Sequence, residues 1–135
     1  MKALLDTNII IHREANKIVT QDIGILYRWL DRGKYTKCIH SATIEEIKKN
    51  PNKETVKLFL VKLDSYETIE IPSPIQVEVK KISESYDRTE NDLIDTSLLN
   101  EVFVGRVDIL ITEDKKIHKK ANALGIQDKV YTIDS

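Results

Sequence analysis

The sequence is poor in the residues that mark disulfide frameworks, disordered tails and membrane spans. Its single cysteine, Cys38, cannot form an internal disulfide, and 135 residues include only four glycines and three prolines. No apolar run approaches the roughly 18 residues that cross a bilayer, and Ile23–Leu30 is interrupted by Arg28. The first residues also lack the apolar stretch of a signal peptide. We therefore expect no membrane span and a reducing, cytoplasmic location.

Net charge is also nearly absent. Twenty-one Lys and Arg stand against 22 Asp and Glu, which leaves a formal charge of -1. A nucleic-acid partner would therefore have to be held by local rather than overall charge. The 41% hydrophobic and 32% charged residues are typical of a folded globular chain. The length predicts one domain over residues 1–135, which is either a minimal domain or the N-terminal part of a longer protein.

Five short apolar runs have the length and composition of β-strands. They are Lys2–Leu5, Lys37–His40, Thr68–Ile71, Val107–Ile111 and Val130–Ile133. Helical spacing separates them, as in the series Ile23, Leu26, Tyr27 and Leu30. This alternation favours a doubly wound α/β fold with a parallel sheet and helices on both faces. Ligands of such sheets bind beyond the carboxyl ends of the strands, where the winding reverses.

Three glycines lie at the predicted C-terminal ends of helices. Gly33, Gly105 and Gly125 each follow a helical segment, where a glycine in the left-handed conformation commonly ends a helix.

Carboxylates lie at the ends of the predicted strands. Asp6 follows the first strand, Glu46 lies beyond the second, and Asp114 follows the fourth. Asp92 and Asp95 open the helix before the fourth strand, three residues apart and on one helical face. All five would reach one edge of the sheet. Because clustered carboxylates repel one another, this edge predicts a site for a hard cation such as Mg²⁺ or Mn²⁺.

Helix capping offers an ordinary explanation for each acid. Asp6 or Asn8, and likewise Asp114, could cap the helix that follows, and Thr43 with Glu46 has the spacing of a capping box. In that case the chain is a non-catalytic α/β binding or regulatory module. An aspartate-nucleophile phosphotransferase is disfavoured, because Asn8 stands where a second aspartate is expected.

Four motifs in order carry a resemblance to a known family. They are Leu5-Asp6-Thr7-Asn8, Ser41-x-Thr43-x-x-Glu46-Ile47, Asn91-Asp92-Leu93-Ile94-Asp95 and Leu110-Ile111-Thr112-Glu113-Asp114. In these motifs the chain resembles PIN-domain nucleases over nearly its full length. The resemblance implies strand order 3-2-1-4-5 and Mg²⁺- or Mn²⁺-dependent endonucleolytic cleavage of single-stranded RNA by metal-activated water. Many such nucleases are toxins of toxin–antitoxin pairs, and others act in RNA processing or quality control.

The resemblance also implies roles for individual residues. The catalytic acids would be Asp6, Glu46, Asp92 and Asp114. The metal ligands would be Asp6, Asp92 and Asp114, with Asp95 as a supporting acid or second-metal ligand. Glu45 is the alternative to Glu46 at its position.

Polar and basic neighbours complete the predicted site. Asn8 and Thr112 would hold the carboxylates by hydrogen bonds, unless they are turn or cap residues. RNA phosphates would meet the basic residues near the acids, which are Arg13, Lys48, Lys115 and Lys116, with Lys17, Lys49, Lys119 and Lys120 nearby. His40 is expected to be structural. The helices between Asp22 and Leu63 offer a surface for an antitoxin or for a second copy of the chain.

Overall fold

A parallel five-stranded sheet forms the centre of the molecule. The computed structural model describes residues 1–14 and 21–133, without the side chains of residues 11–14, 21 and 22. The strands are β1 (Lys2–Leu5), β2 (Thr36–His40), β3 (Glu67–Ile69), β4 (Ile109–Ile111) and β5 (Val130–Tyr131). Their order is β3-β2-β1-β4-β5, and every neighbouring pair is parallel. The predicted fold class and strand order are confirmed.

Helices connect the strands within the described residues. They are α1 (Thr7–Glu14), α2 (Gln21–Arg32), α3 (Ser41–Lys48), α4 (Lys53–Lys62), α5 (Val77–Tyr86), α6 (Glu90–Phe103) and α7 (Lys115–Leu124), with 3₁₀ turns at Leu63–Ser65 and Gln127–Lys129. None of these helices is long and apolar enough to span a membrane.

The sheet separates two apolar cores. Because side chains alternate along a strand, Ala3 and Leu5 of β1 pack on one face with residues of α1 to α4, such as Leu30. Leu4 packs on the other face with residues of α6 and α7, such as Leu98. The central residues of the strands are buried on both faces, so their sequences read as apolar runs rather than as alternating patterns. Helices cover both faces, as a doubly wound fold requires.

Two of the three predicted helix-ending glycines adopt the expected conformation. Gly105 has φ 81° and Gly125 has φ 75°. The prediction for Gly33 is wrong, because the left-handed residue after α2 is Lys34 (φ 56°). Gly33 serves another purpose: a Cβ there would stand 2.8 Å from the Tyr35 ring. The small residue is therefore needed for space.

Candidate functional site

A small polar cavity lies at the carboxyl edge of the sheet. It has a volume of about 160 Å³ and is lined by Asp6, Thr7, Asn8, Glu46, Asn91, Asp95 and Asp114. We refer to it as the acid cavity. Its residues come from the end of β1 and from four helices or their caps, α1, α3, α6 and α7. This is the edge at which the strand order predicts a ligand.

Asp6 stands at the end of β1, the central strand. Its backbone N–H bonds to Ile111 O of β4, and its own carbonyl accepts from Ile9 and Ile10 as α1 begins. The side chain is 5% exposed, and its Oδ2 accepts a 2.7 Å hydrogen bond from the Thr112 hydroxyl. Burial and the nearby Asp114 raise the pKa of Asp6, against hydrogen bonds that lower it. Asp6 is thus held firmly, in a place that disfavours its charge.

Glu46 is placed by the helix that follows β2. That helix begins at Ser41, because His40 is its N-cap and accepts a 3.0 Å bond from the Ala42 N–H at Nδ1. The predicted capping box of Thr43 with Glu46 is therefore wrong, since both residues lie inside α3. Glu46 lines the acid cavity, and burial and repulsion by Asp6 raise its pKa.

The neighbours of Glu46 are also settled. Glu45 is exposed and pairs with Lys48 at 3.7 Å, so Glu46 is the acid that faces the cavity. Thr43 is fully buried, and its hydroxyl lies 2.9 Å from that of Thr7. Thr7 is also close enough to Glu46 to lower the pKa of that carboxyl, against the burial that raises it. This link between α1 and α3 was not expected from the sequence.

Asp114 enters the cavity as the N-cap of α7. Its Oδ1 accepts from the N–H groups of Lys116 (2.8 Å) and Ile117 (3.4 Å). Its own N–H donates to the Thr112 hydroxyl at 3.1 Å, and the same hydroxyl donates to Asp6. The predicted contact of Thr112 with the acids is present, and it joins two of them. Capping and a place in the cavity are therefore compatible for Asp114.

Asp95 carries the strongest sign of charge crowding. Burial and repulsion from Asp6, Asp114 and Glu46 raise its pKa from 3.8 to about 7, although Lys120 lowers it. Asn91, one helical turn earlier, lines the same cavity. Sequence reasoning did not single out Asn91, yet its spacing of four from Asp95 places both on one face of α6.

Asp92 does not line the acid cavity, and its predicted catalytic role stays a prediction. Its Oδ2 accepts from the backbone N–H groups of Arg88 (2.9 Å) and Thr89 (3.1 Å), while the Thr89 hydroxyl accepts from the Asp92 N–H. This capping box starts α6. The backbone bonds, from Arg88 first, and nearby Lys116 lower the pKa of Asp92 to about 2. Asp95 rather than Asp92 is the acid of α6 that faces the cavity.

The basic residues that were predicted to bind RNA phosphates differ in their exposure and in their ion pairs. Lys115 is exposed, Lys48 pairs with Glu45, and Lys116 Nζ lies 3.5 Å from Asp92 Oδ1. The side chain of Arg13 and all of Lys17 lie outside the described residues. The prediction for Lys120 is wrong, because its side chain is buried.

The cavity offers the oxygen ligands that hard cations prefer, but its carboxylates are not arranged as a preformed metal site. Its carboxylate, hydroxyl and amide oxygens are the ligands that Mg²⁺ and Mn²⁺ prefer. As the described side chains stand, no three of the Asp, Glu, His or Cys residues form a group that could hold a metal ion. The carboxylates surround the space without converging on one point in it.

Comparisons with known proteins give a fold and no family. No family model and no curated protein sequence matches the chain. Among the solved structures that resemble it, two do so over nearly their whole length. PAE2754 from Pyrobaculum aerophilum is 15% identical with a TM-score of 0.57, over 99% of this chain and 90% of that one. FitAcB from Neisseria gonorrhoeae is 13% identical with a TM-score of 0.58, over 96% of each chain. With the observed strand order, these likenesses fit a PIN-like α/β fold.

Proposed function

We propose that the chain is a metal-dependent endoribonuclease that cleaves single-stranded RNA at the acid cavity. One observation carries the proposal: in a PIN-like fold, Asp6, Glu46, Asp95 and Asp114 meet at the carboxyl edge of the sheet. Their repulsion, seen in the pKa of Asp95, is what a divalent cation would relieve. The similarity of the fold to PAE2754 and FitAcB supports a PIN-like nuclease in general terms.

The four acids have two tasks in this proposal. Asp6, Asp95 and Asp114 would hold Mg²⁺ or Mn²⁺ after small side-chain rotations into the cavity. When bound, the cation supplies an activated water and polarises a phosphate oxygen. Glu46, which also lines the cavity, would orient the attacking water by accepting a hydrogen bond. Thr112 keeps Asp6 in place, and Asn8 lines the cavity as a further polar contact.

RNA phosphates would be held by lysine side chains around the acid cavity. Lys115 is exposed, and Lys48 and Lys116 are more than half exposed in weak pairs of 3.7 and 3.5 Å. Such pairs can exchange an acid for a phosphate at little cost. Binding of this kind is independent of sequence and weakens with salt. The same contribution from Arg13 stays a prediction.

The test is cleavage of labelled single-stranded RNA with Mn²⁺, with Mg²⁺ and with chelator. Wild-type protein should cleave only with metal, and Asp6→Asn and Asp114→Asn should lose activity. Asp128→Asn, a change at an exposed acid distant in sequence from these motifs, is the matched control. Metal-independent cleavage, or equal rates for all variants, would show that the acid cavity is not the active site.

A non-catalytic binding module is the second candidate. The observation that favours it is the lack of a ready metal-binding group among the described side chains. It predicts RNA or protein binding without cleavage by any variant under any metal, so the same assay separates the two functions.

A partner surface is part of the proposal as well. Trp29 and Ile25 of α2 are each 47% exposed, and Leu58 and Val61 of α4 are 67% and 68% exposed. These side chains lie on the helices where an antitoxin or a second copy was expected to dock. Molar mass from light scattering would detect a homodimer, and Trp29→Ser should weaken it.

A further inference from the structure

The helix that Asp114 caps carries a buried lysine, which does not line the acid cavity. Lys120 of α7 is 1% exposed, and its Nζ is 2.8 Å from Asp87 Oδ1. The side chains of this ion pair are 2% and 4% exposed. A buried ion pair rarely adds stability over an apolar pair of the same size. Its presence therefore calls for a reason besides packing.

The ammonium group is fully provided with acceptors. Besides Asp87, it donates to Thr96 Oγ1 at 2.9 Å and to the carbonyl oxygen of Asp92 at 3.3 Å. The Thr96 hydroxyl donates to Asp87 Oδ2, as does the hydroxyl of Ser83. We call these four side chains, Ser83, Asp87, Thr96 and Lys120, the Lys120 network. With three acceptors for three N–H donors, the lysine has a defined position.

The network joins the two helices that carry acids of the cavity. Lys120 belongs to α7, whose N-cap is Asp114. Its acceptors Asp92 O and Thr96 lie in α6, on either side of Asp95 in the sequence. Asp87, the C-cap of α5, balances the lysine charge. A change in this network would shift the start of α6 relative to α7.

We propose that Lys120 is a positioning residue, which through the Lys120 network fixes the spacing of Asp95 and Asp114 across the acid cavity. The inference rests on the proposed function, since the two acids matter there as cation ligands. Lys120 itself touches neither substrate nor cation. Its effect is transmitted by Thr96 and the Asp92 carbonyl to the helix turn that bears Asp95.

The first variant removes the pair without changing net charge. Lys120→Met alone would strand the Asp87 carboxylate in the interior, so it is combined with Asp87→Asn. The double variant should unfold close to the wild-type temperature because both charges are gone. Mn²⁺ binding, measured by calorimetry without RNA, should nevertheless weaken by about tenfold, which is typical for loss of an outer-shell partner. RNA cleavage should fall as well.

Two further variants test the contact between Lys120 and Thr96 without changing any charged residue. Thr96→Val removes the hydroxyl at nearly constant volume, whereas Thr96→Ser keeps it. Valine should weaken Mn²⁺ binding and shift the amide NMR signals of Asp95 and Asp114, and serine should leave both near wild type. Equal effects of valine and serine, or wild-type Mn²⁺ affinity in the double variant, would overturn the inference.

The outcomes also separate this inference from the proposed function. If wild-type protein binds Mn²⁺ and cleaves RNA while the variants match it, only the positioning role is lost. If wild-type protein binds no Mn²⁺, the proposed function and this inference fall together.

Discussion

Neutralising Asp95 is expected to stabilise the protein, which is unusual for a change at a half-buried polar residue. The pKa of Asp95 rises from 3.8 to about 7 in the folded chain, through burial and then repulsion by Asp6 and Asp114. Between these two values the folded protein holds a proton that the unfolded chain has lost. The free energy of unfolding therefore falls as pH rises across this window. Above about pH 7 the ionised Asp95 opposes folding at its full strength.

The size of the effect follows from the shift. One pKa unit corresponds to about 1.4 kcal/mol, so the whole shift would correspond to about 4 kcal/mol. Because Asp95 keeps contact with solvent, we reduce this to about 2 kcal/mol. Asp95→Asn, which removes the charge and keeps the shape, should raise the free energy of unfolding by about 2 kcal/mol at about pH 8. At about pH 4 the variant and wild type should be nearly equal.

Urea denaturation in the presence of a chelator measures this difference. Asp128→Asn serves as an exposed control, with no effect expected at either pH. Asp92→Asn, three residues away, is expected to have the opposite effect on stability. The pKa of Asp92 is lowered to about 2 by its backbone hydrogen bonds, so its charge favours folding above pH 4 and its loss should destabilise. If Asp95→Asn is neutral or destabilising at about pH 8, the repulsion assigned to the acid cavity is refuted.

Three further predictions concern hydrogen bonds and the lone thiol. Thr112→Val should lower the free energy of unfolding by about 2 kcal/mol in urea denaturation, because the buried Asp6 loses its hydroxyl donor, whereas Thr112→Ser should not. Thr89→Ala should cost about 1 kcal/mol by removing the cap of α6, with Thr89→Ser close to wild type; an equal loss for serine would contradict the capping role. Cys38 is fully buried in β2, and burial raises its pKa from 9.0 to about 11, so alkylation at about pH 8 should be at least about a hundredfold slower in native protein than in urea. Fast native labelling would show that this core strand opens readily.

The sheet could be predicted from the sequence because its signals are local. Short apolar runs separated by helical periodicity define the strands, and the motif resemblance supplied their order. The strand ends were less predictable. β4 begins at Ile109 rather than Val107, and β3 covers Glu67–Ile69 rather than Thr68–Ile71, with Ile71 78% exposed. Hydrogen bonding to neighbouring strands, which the sequence does not display, decides these limits.

The sequence contained a pattern that distinguishes Asp92 from Asp95, the acid of α6 that faces the cavity, but it was not used in the sequence analysis. Helical spacing places both acids on one face of α6, so periodicity cannot separate them. Thr89 stands three residues before Asp92, the spacing of a capping box, and this box directs the Asp92 carboxylate to the backbone. The same spacing at Thr43 and Glu46 misleads, because the imidazole of His40 caps α3 three residues before Thr43.

Lys120 shows what sequence alone could not supply. Its spacing of three from Ile117 places it on the buried stripe of α7, so its burial could have been suspected. Its partner Asp87 lies 33 residues away, after a different helix. No local pattern joins the two, and only the packing of α5 against α7 does.

The way in which the acids are held fixes their orientation without using up their oxygens. One oxygen of Asp6 accepts from Thr112, and one oxygen of Asp114 accepts from the first turn of α7. A carboxylate oxygen that accepts one hydrogen bond keeps another lone pair. A cation in the acid cavity could therefore be met by carboxylates from separate helices while the hydrogen bonds of the fold stay intact.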